Sequence, residues 1–212
     1  MPIETLNKAT LVTACDELAQ NERRFANILD EFSHPPLWSR NTGFDTMALI
    51  ILEQQVSLRS ARAIYKRLHN LFNGVQAGKI ADVNAEYLQK AGLTRQKSAY
   101  IHELAVAIIT GSFSFRSVAR LENDEARKLL TSLKGIGPWS ADVYLLFALG
   151  RSDIWPPGDL ALNKSVGEVY QMQKMPDNDT CVVMSKSWRP WRSAAARMFW
   201  HAYLCRRGRQ DD

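Results

Sequence analysis

Leu133-Lys134-Gly135-Ile136-Gly137-Pro138-Trp139-Ser140-Ala141-Asp142 is the stretch around which this chain is organised. Apolar-periodic segments flank it, 126–133 before and 139–149 after. The pattern therefore reads as a helix, a very tight turn and a second helix. Glycine permits positive φ and close approach of another molecule's backbone. Pro138 suits the first turn of the second helix, where its missing N–H is not needed. Such a turn points backbone N–H groups outward at a helix N-terminus, which favours an anion such as phosphate. A helical hairpin also uses this turn for plain packing, and spacing alone leaves both readings open.

Helical periodicity continues on both sides of the hairpin. Thr10 is expected to cap a helix running through Leu18. Phe25, Ile28, Leu29 and Phe32 recur at i, i+3, i+4 and i+7 ahead of Pro35-Pro36. The segment 44–54 is nearly all apolar, hence a buried central helix. Ser57 is positioned to cap an amphipathic helix over Leu58–Phe72. Asn84 and Thr94 open two further helices that stop at Gly92 and Gly111. More helices are expected over 160–170, from Asp177, and over 191–207. No run of alternating strands, repeat or low-complexity linker interrupts this series. The fold class is all-α: about ten helices in two lobes with a cleft between them. Residues 1–212 are read as one unit, in which the N- and C-terminal helices form one lobe and residues from about 58 to 150 the other. The hairpin itself is placed at about 126–149.

Hydrophobic content of 46% and charged content of 23% are those of an ordinary soluble globular protein. A net charge of +5 and a pI near 9.2 permit nucleic-acid binding without proving it. Arg189, Arg192, Arg197, Arg206, Arg207 and Arg209 crowd the C-terminus, as solvated helix faces with a basic tail or as a nucleic-acid surface. Cys15, Cys181 and Cys205 are too scattered for a disulfide framework or a zinc site. No four-cysteine cluster stands ready for an iron–sulfur centre. Met1-Pro2-Ile3-Glu4 lacks the basic and apolar regions of a signal peptide. The longest apolar runs, 47–52 and 143–149, are too short to span a bilayer. These features lead us to expect a cytoplasmic protein with no membrane partner.

Taken with Pro157-Gly158-Asp159-Leu160, the hairpin resembles the helix-hairpin-helix glycosylases of base-excision repair, above all the AlkA-type alkylpurine (DNA-3-methyladenine II) glycosylases. Ile51-Leu52-Glu53-Gln54-Gln55-Val56-Ser57 is similar to that family's Gln-rich loop. Trp188-Arg189-Pro190-Trp191-Arg192-Ser193 is similar to its Trp-x-Pro-Trp-Arg-Ser signature, and Trp200 falls where it keeps a pocket tryptophan. The resemblance covers roughly residues 40 to 205. It implies a compact, monomeric enzyme acting on damaged double-stranded DNA in a cleft between two lobes. It also implies a bacterial-type, nucleoid-associated location, with no extra N-terminal β domain, obligate protein partner, catalytic cofactor or iron–sulfur cluster.

The resemblance assigns Asp159 to catalysis. Cleaving an N-glycosidic bond builds positive charge on the deoxyribose, and a carboxylate can stabilise that charge or orient a water against C1′. Asp159 also stands where an N-cap is expected, and both roles are compatible. Asp142 and Asp153 read instead as part of the hairpin's second helix and of a turn. Relatives that also cut the backbone carry a lysine where this chain has Trp139, and an indole cannot form their Schiff base. A monofunctional enzyme without lyase activity follows. Trp200, Trp139, Tyr144 and Val143 are the expected base pocket, because enzymes acting on a base hold it extruded against aromatic surfaces. Val143 stands where the better-known members have tyrosine, which leaves the substrate range open.

Gln55, with Gln54, is the expected wedge that fills the gap left by the flipped nucleotide. Gly135, Gly137 and Ser140 are expected to hold a phosphate, with Lys134, Arg189 and Arg192 as further backbone contacts. The family's structural sodium or potassium ion maps to the carbonyls of Thr131, Leu133 and Ile136. The expected reaction is release of alkylated purines of the 3-methyladenine and 7-methylguanine type. The alternatives are a glycosylase for uracil, hypoxanthine or etheno adducts, and a non-catalytic DNA-binding module.

Overall fold

The computed structural model describes residues 4–208; Met1, Pro2, Ile3 and the basic Arg209 lie outside them. In chain order the helices are α1 (Lys8–Asn21), α2 (Arg23–Phe32), α3 (Phe44–Glu53), α4 (Leu58–Phe72), α5 (Ala77–Ala81) and α6 (Arg95–Ile109). They continue as α7 (Phe115–Arg120), α8 (Asn123–Thr131), α9 (Pro138–Phe147), α10 (Leu160–Val169), α11 (Asn178–Ser185) and α12 (Arg192–Cys205). Two 3₁₀ segments, Ala85–Ala91 and Lys186–Trp188, complete the set, and no named strand occurs among the described residues. No helix among them is long and apolar enough to cross a membrane.

The helix starts follow their caps. Ser57 and Thr94 accept the N–H groups of Ser60 and Lys97 as expected. Asn84 caps Tyr87, but the segment it opens is 3₁₀ rather than α. α1 departs from expectation. Its N-cap is Asn7, whose Oδ1 accepts from Ala9 and Thr10 N–H, while the Thr10 hydroxyl accepts from Asn7 N–H at 2.8 Å. That closed capping box puts Thr10 one turn inside the helix.

Two compact units result. One joins the residues up to Ser39 with those from Gly150, and the other is Arg40–Leu149. The first is tied by an antiparallel bridge, Thr5 to Arg151, with Leu6 N–H donating to Gly150 O at 2.6 Å and Ser152 N–H to Glu4 O at 3.1 Å. α10 packs on α12, and α2 packs on α1 and α12. Phe25, Trp155, Trp188 and Phe199 form its core, with ring centroids 5.0–6.2 Å apart. Burying each such ring stabilises the unit by about 1.5–3 kcal/mol. Trp188 opens the sequence signature around Pro190, and Trp155 stands just ahead of Pro157-Gly158-Asp159-Leu160, so the core anchors both segments.

In the second unit α3 is central. All its residues except Asp45 and Leu49 are buried, and it packs on α4, α6 and α9. The expected boundary near 58 moves to Arg40. Arg40 N–H donates to Phe147 O at 2.9 Å, and its guanidinium meets Glu53 of α3 bidentately at 2.8 and 2.9 Å. Those bonds commit residues 40–57 to this unit.

Candidate active site and DNA interface

Asp159 is the N-cap of α10 (φ −76°, ψ 111°). Its Oδ1 accepts from Leu162 N–H at 2.9 Å and from Trp200 Nε1 at 3.2 Å. The carboxylate that caps α10 thus also meets an indole N–H. Upstream, Ile154, Trp155 and Pro156 are buried and Gly158 turns at φ +83°, so the loop presents Asp159 half-buried. Trp200 sits on α12, and α12 is fastened to α10 immediately beside it, where Ser165 Oγ donates to Phe199 O at 2.6 Å. Asn163, next turn along α10, donates to Asn178 Oδ1 of α11 at 2.6 Å. The arrangement holds an acidic oxygen and the edge of an indole together at a fixed distance. That is what stabilising a developing sugar cation next to an extruded base requires.

The hairpin is α8, the double-glycine turn and α9. Gly135 has φ +82°, and a Cβ there would lie 2.2 Å from two carbons of the Tyr100 ring. Only glycine meets both demands. Gly137 is the N-cap of α9 with Pro138 following, and a Cβ on Gly137 would meet nothing within 4 Å. This open side faces the start of a helix, whose first N–H groups lack partners within the helix. Arg127 on α8 clamps the pair, with Nε donating to the buried Asp142 of α9 at 2.6 Å and a second nitrogen to Asp124 at 2.8 Å.

Gln55 follows the end of α3 in a left-handed conformation, φ +57°, and is exposed. Gln54, expected beside it as part of the wedge, turns elsewhere. Its Nε2 donates to Gly135 O and to Ser140 Oγ, both at 2.8 Å, so the amide faces the hairpin. Ser140 is corrected with it: at 2% exposure its hydroxyl points inward to Gln54, and only its backbone remains for a phosphate. Lys97, which no sequence motif singled out, donates to Leu52 O and Gln54 O at 2.8 Å each.

Tyr144 is likewise not an open pocket wall. It is fully buried in the second unit, stacked on Phe115 at 4.9 Å, with Gly43 N–H donating to its hydroxyl at 3.0 Å. Burial pushes that hydroxyl's pKa up to about 12. Val143 is 3% exposed, so it too is buried. Trp139 is half-buried at the second position of α9. Arg192 is also reassigned. Its guanidinium donates to Asp153 Oδ2 at 3.0 Å and Asp153 O at 2.9 Å, with only 16% of the side chain exposed, so it closes a turn instead of reaching out. The exposed Arg189 lies 3.8 Å from the same carboxylate. Lys134 pairs with Glu103 at 2.9 Å, with 66% and 46% of the two side chains exposed. Such a solvent-screened pair contributes little and can yield to a phosphate.

Thr131 ends α8, Leu133 O accepts from Ile136 N–H at 3.1 Å, and all three carbonyls lie in the turn region. Among the described residues no group of three or more His, Cys, Asp or Glu side chains is placed to hold a metal ion.

Residues 48–193 match the family model described as HhH-GPD superfamily base excision DNA repair protein. The chain belongs to this superfamily. The match holds the Gln55 loop, the hairpin and Asp159, and it stops short of Trp200. This HhH-GPD chain is similar to DNA-3-methyladenine glycosylase 1 of Schizosaccharomyces pombe, 26% identical over 187 residues, 86% of this chain and 82% of that protein. It is also 26% identical to a putative DNA-3-methyladenine glycosylase of Bacillus subtilis, over 82% of this chain but only 64% of that longer protein. The fold is similar to that of the S. pombe 3-methyladenine DNA glycosylase solved in complex with abasic DNA, with a TM-score of 0.78 at 22% identity, covering 92% of this chain and 97% of that one.

Proposed function

We propose that this chain is a monofunctional DNA glycosylase that flips an alkylated purine out of duplex DNA and hydrolyses its N-glycosidic bond, leaving an abasic site. The observation that carries the reading is the Asp159 carboxylate held against Trp200 Nε1 at 3.2 Å, on a superfamily member similar to named 3-methyladenine glycosylases. The C1′–N bond breaks with its electron pair leaving on the base, and Asp159 stabilises the cationic sugar that remains. Water then adds to C1′ and gives up a proton. A purine methylated at N3 or N7 is cationic before departure, and the indole of Trp200 attracts it by about 0.5–2 kcal/mol. We assign Trp139 as a further aromatic contact of the base. Having no amine, it gives the enzyme no Schiff-base route and hence no lyase step.

Gln55 serves as the wedge, and Gly135, Gly137 and the N–H of Ser140 take the phosphate. A sodium or potassium ion on the carbonyls of Thr131, Leu133 and Ile136 would brace that phosphate structurally. The chemistry draws on no cofactor, and we take the working form to be a monomer on double-stranded DNA. Val143 in place of tyrosine supports a second reading, a glycosylase for uracil, hypoxanthine or etheno adducts.

A panel of duplexes carrying one defined lesion each tests the function. Release of 3-methyladenine or 7-methylguanine, without a borohydride-trapped adduct, is expected. Release of only another base would select the second reading, and tight binding with no release of any base would overturn both.

A further inference from the structure

We propose that Gln54 and Lys97 are positioning residues that lock the Gln55 loop to the double-glycine turn, so that gripping the backbone and extruding the base act as one rigid step. The proposal rests on the reading of the chain as a base-flipping glycosylase and concerns residues that this reading leaves without a role in the chemistry.

Gln55 is a non-glycine residue at φ +57° on an exposed loop. Such a conformation persists only where its surroundings over-determine it. The residue before it supplies the constraint. Both hydrogens on Gln54 Nε2 are used, one on Gly135 O and one on Ser140 Oγ, each at 2.8 Å. These acceptors bracket the start of α9, the part of the hairpin proposed to take the phosphate. The Gln54 backbone is held in turn, because Lys97 Nζ donates to Leu52 O and Gln54 O at 2.8 Å each. These are carbonyls at the end of α3, where a helix leaves acceptors without partners.

Lys97 is not placed there by its own helix. It occupies the third position of α6, whose N-cap Thr94 accepts its N–H. A cation in the first helical turn opposes the helix dipole. Partial burial also lowers its pKa. Both costs are offset only by the two carbonyls it holds. On the other side, Arg40 grips Glu53, the residue before Gln54, at 2.8 and 2.9 Å. The end of α3, the start of α6 and the hairpin are thus joined through one glutamine. A glutamate there would have no hydrogen to donate and would set its charge against the Gly135 carbonyl. A shorter side chain would not span the gap.

Movement of Gln55 out of line must therefore break hydrogen bonds to the hairpin. With the lock cut, the protein still holds DNA through the hairpin but no longer drives the wedge into the stack. The test uses the full chain with Gln54→Glu, Lys97→Met, Lys97→Arg and the milder Ser140→Ala. Each is given a methylated-purine duplex in two forms, one fully paired and one with the lesion in a short unpaired bubble. Affinity for abasic duplex is expected within about threefold of wild type. Single-turnover release from paired DNA should fall about tenfold or more for Gln54→Glu and Lys97→Met. Release from the bubble, where unstacking is already done, should fall less than about threefold. Lys97→Arg, which keeps the charge, should recover most of the paired rate, and Ser140→Ala should fall between.

Equal losses on paired and bubble DNA, or no loss on either, would overturn the proposal. Fluorescence of 2-aminopurine next to the lesion reads wedge insertion without chemistry. If wild type unstacks the probe but releases no base, the glycosylase reading fails, and the lock is then judged on whether Gln54→Glu loses the fluorescence signal.

Discussion

Replacing Gly135 with alanine probes the hairpin most sharply, because two separate costs can be worked from its geometry. At φ +82° an L residue pays about 1–2 kcal/mol for the left-handed backbone. The added Cβ would also lie 2.2 Å from two ring carbons of Tyr100 and 2.7 Å from a third. The ring cannot swing clear freely, since Gln96 Nε2 donates to its hydroxyl at 2.6 Å. Overpacking of this kind costs about 1–3 kcal/mol. Gly135→Ala should therefore lose about 2–5 kcal/mol in urea unfolding. Combining it with Tyr100→Ala should return only the steric part, a coupling energy of about 1–3 kcal/mol in a double-mutant cycle. Affinity for abasic duplex should fall with the single variant, because Gly135 lies in the turn proposed to take the phosphate. Stability of Gly135→Ala within about 0.5 kcal/mol of wild type, or no coupling to Tyr100, would refute the account of this turn.

Three other outcomes follow from the side-chain pairings. Lys134→Gln should reduce the salt dependence of DNA binding by about one unit of slope, measured by titration at several salt concentrations. Arg192→Lys should leave that slope unchanged and instead lower unfolding stability by about 1–3 kcal/mol, because its bidentate bond to Asp153 is lost. The Glu168 carboxyl is held below the usual carboxylate range by its hydrogen bond to Arg207. Its stabilisation is thus complete above the unfolded value of about 4.3 and fades as pH falls below it. Glu168→Gln should flatten the fall of Tm with acid over that window, while changing Tm little once the pH lies well below the lowered folded-state value.

The helical class, the hairpin and the N-caps at Ser57, Thr94 and Asp159 were legible because each depends on local sequence. α5 and α7, of five and six residues, are too short to show a helical period and went unread. At α1 two capping residues stood three apart, and the closed capping box chose Asn7 over Thr10. The candidate site residues lie in local motifs, and their side chains depart from expectation where tertiary partners decide. Gln54 and Gln55 are neighbours of the same type, and only the Gly135 carbonyl and Ser140 hydroxyl separate an inward amide from an exposed one. Arg192 reads as a phosphate contact until Asp153, far from it in sequence, takes its guanidinium. Tyr144 reads as a pocket aromatic until Phe115 and Gly43 close around it. Lys97 belongs to no motif, and its role depends on carbonyls brought to it from α3.

The central claim is that the negative charge of Asp159 does chemical work beyond capping α10. Asparagine is an equally good N-cap, and its Oδ1 can still accept from Leu162 N–H and Trp200 Nε1. Asp159→Asn thus removes the charge and little else. At an effective dielectric near 20, a unit charge about 4 Å from the developing sugar cation contributes about 4 kcal/mol. That corresponds to a rate factor of about a thousand. Single-turnover release of 3-methyladenine or 7-methylguanine by wild type and Asp159→Asn, compared at matched Tm, measures it. Release slowed about a thousandfold is expected, in a protein that melts and binds abasic DNA like wild type. Base release by Asp159→Asn at the wild-type rate would contradict the central claim.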